Sequence, residues 1–373
     1  MLLKKSLTLK LWLAILVPAT ICAQDPAEFK PLMNGQNLTG WIEMGERGVY
    51  SVSDGVLTAE KPANYPNWLR TEKEFENFTL KLEYRVPGWC ESGVLIHAPL
   101  HGRLSRAGLK IHLRHNDLDE GDRSVGSVYD VLAPLVRSPR QPDEWNELQI
   151  TSDWPKLEVI LNGETVQDVN MELVPELRHR LRRGYVGIQD LNCKIQFRNF
   201  AIRELPDKEQ WRNLFNGQDF GGWEVRGPAE WSVEEGRIIA RNGDGYLITE
   251  DSFGAFEFQV YVRASSKANG GIFTRWHSRE DRGYESQIYN IADATNPTGS
   301  IYEVVPASDL ESRDGEWFLV QILSDGQYGA VFIDGKKVAE SFELSKPDFG
   351  QIALQMHSRG QIEFLNPRIK PLR

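Results

Sequence analysis

Apolar and polar residues alternate along several short stretches of this chain. Residues 78–86 and 256–262 follow a period of two, which predicts strands that each bury one face. Asn162-Gly163 and Asp334-Gly335 each follow an apolar stretch, and such pairs are typical of two-residue hairpin turns. Only residues 172–182 suggest a helix, and a short one. A strand spacing of about 10 residues therefore predicts an all-β, two-sheet sandwich.

The same series of motifs occurs twice. Asn34-Gly35-Gln36 returns 182 residues later as Asn216-Gly217-Gln218. Further collinear pairs are 50–55 with 231–236, 69–72 with 247–250, 91–94 with 269–272, 126–129 with 299–302, 144–145 with 316–317, and 197–199 with 364–366. The offset falls to 167 at the last pair because loops shorten while the order of motifs is kept. A domain of about 170 residues is therefore duplicated.

The N-terminus has the pattern of a secretory signal. Lys4 and Lys5 precede an apolar run at 9–17 that is too short for a membrane span, and Ile21-Cys22-Ala23 offers a cleavage site. We predict an exported protein, periplasmic or extracellular, with a lipoprotein acylated at Cys22 as the alternative. The predicted divisions are a signal peptide at 1–23, a first copy at 24–205 and a second copy at 206–373.

The composition and net charge limit the classes of molecule that this chain is expected to bind. The net charge of −10 argues against a nucleic-acid backbone as the partner. The sequence after the N-terminal segment contains no run of about 20 apolar residues, so no membrane span is predicted there. The 11 tryptophans suit stacking on the apolar faces of sugar rings as well as core packing. After cleavage, Cys90 and Cys193 remain, and the sequence leaves open whether they form a disulfide.

Polar side chains of the second copy suggest a sugar site. Residues i and i+2 of a strand share a face, so Glu285, Gln287 and Tyr289 are expected to point the same way. The groups expected to join them are Arg275, His277 and His357. Together they offer hydrogen-bonding groups for hydroxyls and a group that moves a proton. A solvated strand face and an Arg275–Glu285 ion pair are the structural alternatives.

The second copy lacks a second acid where a conventional glycosidase would need one. Gln287 and Tyr289 stand at the i+2 and i+4 positions from Glu285. Retaining and inverting glycosidases use two carboxylates that flank the scissile bond. The sequence therefore argues against that mechanism, unless the second acid comes from another strand.

The first copy differs at the same places. Lys110 replaces Glu285, His112 replaces Gln287, and His97 stands where Arg275 is. His97, His112 and Asp130 are weak candidates for a metal site because imidazole and carboxylate are common metal ligands. The alternative is that the first copy has diverged into a binding or packing domain.

The ordered motifs resemble the 3-keto-disaccharide hydrolase family, also described as domain of unknown function 1080. In the second copy the resemblance rests on 215–217, 269–275, 284–288, 299–302 and His357. The second copy departs from the family at 364–366, where Phe-Leu-Asn replaces Phe-Arg-Asn, whereas the first copy departs at the motif containing Glu285. The resemblance implies concanavalin A-like jelly rolls, exported by bacteria, that act on glycosides whose C3 hydroxyl is oxidised to a ketone.

That resemblance also implies roles for the candidate residues. Catalytic roles are expected for Glu285, as a base or metal ligand, for Arg275, as a stabiliser of the enolate, and for His357. Substrate binding is expected for Gln287, Tyr289, His277 and Tyr302. A divalent metal ion is a candidate cofactor, held in part by Gln287 or His357.

Three functions compete at this point. The first is an exported hydrolase or lyase that cleaves 3-keto-glycosides, with an oligosaccharide or glycoside as substrate. The second is a non-catalytic glycan-binding protein, since this fold serves lectins as well as enzymes. The third is a structural surface protein. A catalyst predicts convergent polar groups and a perturbed acid, whereas a lectin predicts exposed aromatic platforms.

Overall fold

The structure confirms the predicted fold: each of the two copies forms one β-sandwich. The computed structural model describes residues 28–59, 67–88, 90–114, 121–191, 193–278 and 281–372. The predicted signal peptide at 1–23 lies outside these residues. Within them, no helix is long and apolar enough to cross a membrane.

Among the described residues, the first sandwich contains 13 strands, two α turns and two 3₁₀ turns. Its strands are β1 (Lys30–Pro31), β2 (Trp41–Met44), β3 (Tyr50–Ser53), β4 (Val56–Ala59), β5 (Asn67–Phe75), β6 (Phe78–Arg85), β7 (Glu91–Ala98), β8 (Leu109–Arg114), β9 (Asn146–Asp153), β10 (Lys156–Leu161), β11 (Glu164–Asn170), β12 (Gly184–Asp190) and β13 (Ile195–Glu204). One sheet has the order β11-β10-β9-β6-β13-β4-β3, with β1 also on β13, and the other has the order β2-β5-β12-β7-β8.

The second sandwich repeats this arrangement. Its strands are β14 (Arg212–Asn213), β15 (Trp223–Arg226), β16 (Glu230–Glu234), β17 (Arg237–Arg241), β18 (Gly245–Phe253), β19 (Phe256–Ala264), β20 (Asn269–Trp276), β21 (Tyr284–Ile288), β22 (Trp317–Asp325), β23 (Tyr328–Ile333), β24 (Lys336–Ser341), β25 (Gly350–His357) and β26 (Gln361–Pro371). Its larger sheet has the order β16-β17-β26-β19-β22-β23-β24, with β14 on β26, and its smaller sheet has the order β15-β18-β25-β20-β21.

Both predicted hairpin turns are confirmed. Asn162-Gly163 connects β10 to β11, and Asp334-Gly335 connects β23 to β24. All four residues have positive φ angles between 49° and 86°, which the two-residue turn requires. The predicted helix at 172–182 is much shorter in the structure: a 3₁₀ turn, Met171–Leu173, precedes one α turn, α2 (Pro175–Arg178). The other α turn is α1 (Leu104–Ala107).

Each sandwich has its own apolar core between its two sheets. Leu80, Ile96 and Phe197 are among the fully buried residues of the first core, whereas Phe258 and Leu354 are among those of the second. Because strand side chains alternate between faces, this burial leaves the outer face of each five-stranded sheet for other residues. The candidate site lies on such a face.

A disulfide closes the first sandwich. Cys90 and Cys193 are bonded, with Cα atoms 5.8 Å apart, and both side chains are buried in the first core. Cys90 precedes β7 and Cys193 precedes β13, so the bond connects the two sheets of this sandwich. The sequence left open whether these two cysteines are bonded, and the structure contains the disulfide.

The two sandwiches are packed against each other. Ala107 and Leu181 of the first form an apolar cluster with Tyr261 and Leu319 on the larger sheet of the second. The Tyr261 hydroxyl accepts a hydrogen bond from the Leu100 N–H at 2.7 Å. The outer face of the second larger sheet is therefore partly covered by the first sandwich.

Candidate functional site

Strand register brings Glu285 and Gln287 to the outer face of the five-stranded sheet in the second sandwich. Their neighbour Ile288 points the other way, into the core, as the period of two predicts. Two adjacent rows of paired residues cross four strands: Ile248–Ala353–Phe273–Glu285 and Tyr246–Gln355–Gly271–Gln287. Glu285 thus ends an apolar row, and Gln287 ends a mostly polar one.

The Glu285 side chain is held over a glycine beside apolar groups. A Cβ atom on Gly271 would lie only 2.6 Å from the Glu285 Cγ atom, so this glycine leaves the space that the carboxylic acid fills. Phe273, which pairs with Glu285, forms a buried cluster with Trp276. Desolvation by burial raises the pKa of Glu285 to about 8, the Arg282 guanidinium lowers it, and the Glu303 carboxylate adds to the increase.

Amide groups adjoin this carboxyl. The Gln287 side-chain amide lies 3.0 Å from the Asn269 Oδ1 atom. When the Gln287 amide is oriented to satisfy its neighbours, its NH₂ group donates to Glu285 Oε1 at 2.9 Å and to the Gly270 carbonyl oxygen at 3.2 Å. The Glu285 carboxylic acid and these amides together form one hydrogen-bonded group, in which Gln287 is 5% exposed.

Arg275 does not belong to this group, so the prediction that it lies beside Glu285 is wrong. Its guanidinium is 1% exposed and donates to Ser324 Oγ at 3.0 Å and to the Gly326 carbonyl oxygen at 2.7 Å. It also pairs with Asp348 at 3.1 Å. The physical reason is a bulge between Phe273 and Trp276, where Arg275 has a φ of 58° and the alternation of faces is interrupted.

Arg282 is the cation that the sequence reasoning missed. Its guanidinium carbon lies 5.8 Å from the Phe273 ring centroid, and its Nη1 donates to the Tyr246 hydroxyl at 3.4 Å. Both aromatic residues belong to the two rows that contain Glu285 and Gln287. Arg282 could not be placed from the sequence pattern, because it lies in the connection before β21, where no periodicity assigns a face.

His357 lies on the same face but far from Glu285. It pairs with Asn269 in the next row, and its Nδ1 is 2.8 Å from Asp244 Oδ1, with both side chains exposed. Glu285 is two strands and two rows away, which corresponds to roughly 16 Å by sheet spacing. His357 and Glu285 are therefore expected to contact different parts of a ligand, and the catalytic role of His357 stays a prediction.

The remaining candidates lie at the borders of the face. Tyr302 is 40% exposed, and its N–H donates to the Glu285 carbonyl oxygen at 2.9 Å. Tyr289, half-buried, follows Gln287 by two residues. His277 is exposed in the connection after β20, where its N–H donates to the Asp281 carbonyl oxygen.

The metal candidates of the first copy are not brought together. The buried His97 ring binds the Glu76 carbonyl oxygen at 2.7 Å, and Asp130 pairs with Arg123 at 2.8 Å. His112 lies beside the Tyr129 ring instead. Within the described residues of either copy, no three His, Cys, Asp or Glu side chains could hold a metal ion. The predicted set at His97, His112 and Asp130 is therefore wrong, because a bulge turns His97 inward at a φ of 50°.

Comparisons with known proteins identify the type of domain. The family model described as a 3-keto-alpha-glucoside-1,2-lyase-like domain matches residues 28–203 and again residues 210–370. A search of curated proteins found no match.

Among solved structures, two proposed glycosyl hydrolases from Parabacteroides distasonis are similar to part of the chain. The first is 22% identical to this chain and the second 25%. Each match covers 48% of this chain, together with 94% of the first structure's chain and 100% of the second structure's chain. Both have a TM-score of 0.43. A carbohydrate-binding module from Bacillus subtilis is 15% identical over 39% of this chain and 94% of its own, with a TM-score of 0.31.

Proposed function

Because this chain belongs to the family of 3-keto-alpha-glucoside-1,2-lyase-like domains, we propose that its second sandwich cleaves glycosides of 3-keto sugars. The observation that carries the proposal is the Glu285 carboxyl, seated over Gly271 on the outer face of the five-stranded sheet. The family places the chain among carbohydrate-related, glycosyl hydrolase-like proteins, and the cleavage of 3-keto substrates is the step we add.

The proposed reaction is an elimination followed by hydration. A ketone at C3 of the sugar acidifies the proton at C2, and the Glu285 carboxylate removes that proton. The C1–O glycosidic bond then breaks with its electron pair, and the departing oxygen takes up a proton. Water adds across the resulting C1=C2 double bond. One base suffices, which agrees with the absence of an acid at positions 287 and 289.

The neighbours of Glu285 suit the other demands of this reaction. Arg282 is the candidate for offsetting the negative charge on the enolate oxygen, in place of the sequestered Arg275. Gln287 and Asn269 offer amide groups to sugar hydroxyls. His357, some 16 Å away by sheet spacing, suits the second ring of a disaccharide. The described residues do not fit a metal site, so no step involves a metal.

The pH dependence of cleavage follows from the Glu285 pKa. The active form is the carboxylate, and the pKa is raised to about 8. We therefore expect kcat/KM to rise about tenfold per pH unit below pH 8 and to level off above it. Initial rates between pH 5.5 and 9.5 measure this profile. A profile that is flat across this range would contradict the assignment of Glu285 as the base.

The substrate class is tested by comparing two glucosides that differ only at C3. We expect release of the aglycone from a 3-keto-glucoside and none from the matched glucoside with a C3 hydroxyl, whose C2 proton is not acidic. Binding of the 3-keto-glucoside without cleavage would instead support the glycan-binding alternative. Cleavage of both compounds at equal rates would contradict the elimination.

The glycine beneath Glu285 offers a matched pair of variants. Gly271→Ala places a Cβ atom 2.6 Å from the Glu285 Cγ atom, and the displaced carboxyl is expected to lower kcat/KM roughly 100-fold. Gly93→Ala creates the same overlap with the Lys110 Cγ atom, also at 2.6 Å, in the first sandwich. Both variants are to be assayed for cleavage and for thermal stability. Equal losses of cleavage in the two variants would contradict the placement of the site in the second sandwich.

We further propose that the protein is exported. The sequence of residues 1–23 has the pattern of a secretory signal. The Cys90–Cys193 disulfide supports this, since such bonds persist in oxidising compartments. Fractionation of the producing cells, with the protein detected by antibody, tests the proposal, and a cytosolic location would contradict it.

A further inference from the structure

The larger sheet of the second sandwich carries aromatic side chains on its outer face, near the edge formed by β23 and β24. Tyr328 and Phe332 of β23 point outward, whereas Val331 between them belongs to the core. Phe342 follows β24, and its ring centroid lies 5.2 Å from that of Tyr328. The Phe342 side chain is 66% exposed, so this edge presents a large apolar ring to water.

The first sandwich has charged and polar side chains at the matching positions. Counting back 172 residues, the offset between the two hairpin turns, Lys156 corresponds to Tyr328 and Asn170 to Phe342. Lys156 and Asn170 are paired across β10 and β11, and the Lys156 ammonium forms an ion pair with Asp168 at 3.5 Å. The fold therefore accepts a charged, solvated edge here, and the aromatic pair of the second sandwich is not a requirement of the architecture.

A groove of about 550 Å³ runs beside these rings, where the two sandwiches meet. The second sandwich contributes Tyr328, Phe332 and Phe342 to its lining, and the first contributes Pro175 of α2 and His179. The His179 ring centroid lies 5.2 Å from that of Phe332, so residues of both sandwiches are in contact along the groove. Its volume falls within the range of about 300–1,000 Å³ that is typical of small-ligand sites.

Charged side chains of both signs line the same groove. They are Glu176, Arg178, Lys337 and Glu340. The Glu340 Oε1 atom accepts hydrogen bonds from Lys337 Nζ at 2.6 Å and from the Tyr328 hydroxyl at 3.0 Å. Two acids and two bases leave the lining without net charge, which favours a neutral ligand. Their donors and acceptors suit a ligand that is rich in hydroxyl groups.

We propose that this groove binds a neutral glucan chain, with one pyranose ring packed against Phe342 and Tyr328. The C–H face of such a ring is apolar and suits an aromatic surface, whereas its hydroxyl groups lie at the edge and reach the charged side chains. Glu285 lies on the outer face of the opposite sheet of this sandwich, so the groove is a separate site that holds carbohydrate rather than cleaving it. The choice of a glucose polymer rests on the proposed function.

Calorimetric titration of the full chain with maltohexaose and with cellohexaose tests the groove for both linkages. We expect the wild-type protein to bind at least one of them with a Kd below about 1 mM. Phe342→Ala is expected to weaken that binding about fivefold, because the exposed half of the aromatic surface is lost. Phe349→Ala is the matched control, since Phe349 is 55% exposed but does not line the groove, and it should bind as the wild type does.

The hydroxyl of Tyr328 separates ring packing from hydrogen bonding. Tyr328→Phe keeps the ring and removes the bond to Glu340, so it is expected to retain the affinity of the wild type. Equal affinity in Phe342→Ala and in the wild type would overturn the proposed location. Sedimentation velocity covers the other occupant: a wild-type dimer that Phe342→Ala dissociates would show that a second copy of the chain fills the groove, and would overturn the inference.

Cleavage assays on the same preparations separate this inference from the proposed function. Cleavage of a 3-keto-glucoside that depends on Glu285, together with no binding of either hexasaccharide, would overturn the inference alone. Hexasaccharide binding that Phe342→Ala weakens and Phe349→Ala does not, without any cleavage, would support the inference while contradicting the proposed function.

Discussion

Glu285→Gln is expected to lower kcat/KM for a 3-keto-glucoside by about 10²–10⁴-fold, the range by which a positioned general base contributes to catalysis. Glutamine keeps the size of the side chain over Gly271 but cannot accept the C2 proton. The measurement is aglycone release at pH 8.5, where most of the wild-type carboxyl is ionised.

The same variant is expected to be more stable than the wild type at alkaline pH. The folded-state pKa of Glu285 is raised to about 8 from 4.5, so the protonated form is favoured by folding. The contribution of the protonated Glu285 side chain to the free energy of unfolding is therefore fully present below pH 4.5. This contribution is lost as the pH rises from 4.5 through 8. Glutamine removes this loss, and we expect a gain of about 1–2 kcal/mol at pH 9 after allowance for solvent screening, with no gain at pH 4.

Glu303→Gln is the control for charge alone. Glu303 raises the pKa of Glu285, so its removal should shift the acid limb of the pH profile downward without abolishing cleavage. If Glu303→Gln loses as much activity as Glu285→Gln, the base has been assigned to the wrong carboxylate. If Glu285→Gln keeps full activity, the site on this sheet is not the centre of the reaction.

Removal of the Cys90–Cys193 disulfide is expected to destabilise the first sandwich by about 3–4 kcal/mol. The bond spans 103 residues, and closing a long loop restricts the unfolded chain strongly. For a domain of this size, the melting temperature should fall by about 6–16 °C. Calorimetry of the Cys90→Ala/Cys193→Ala variant measures the change.

The second sandwich contains neither cysteine, so its transition should move less than that of the first. Addition of reductant to the double variant is the control and should change nothing. If reduction leaves the melting curve of the wild-type protein unchanged, the bond contributes little to stability. A loss of all folded structure in both sandwiches would instead show that the packing of Tyr261 against the first sandwich couples their unfolding.

Register explains why part of the candidate site could be predicted from the sequence. Glu285 and Gln287 are two residues apart on one strand, so their shared face depends only on local alternation. The equivalence of Lys110 with Glu285 was visible because the repeat aligns the two copies motif by motif. Both inferences rest on regular backbone geometry, which sequence pattern reports well.

Irregular backbone at Arg275 and His97 breaks this local alternation. Each of these residues has a positive φ angle in a bulge. A bulge interrupts the alternation of faces, so the side chain no longer lies on the face that the period of two predicts. The position of Arg282 was equally hidden, because it lies in a connection whose path is set by tertiary contacts. His357 shares the predicted face, but its distance from Glu285 depends on the order of the strands.

By itself the sequence determined the duplication, the all-β sandwiches and the face that Glu285 shares with Gln287, because these follow from periodicity and turn chemistry along the chain. Only the tertiary structure decided the disulfide, the burial that raises the pKa of Glu285 and the sequestration of Arg275. Each of these depends on residues from distant strands, and their pairing is fixed by the packing of whole sheets rather than by any local pattern.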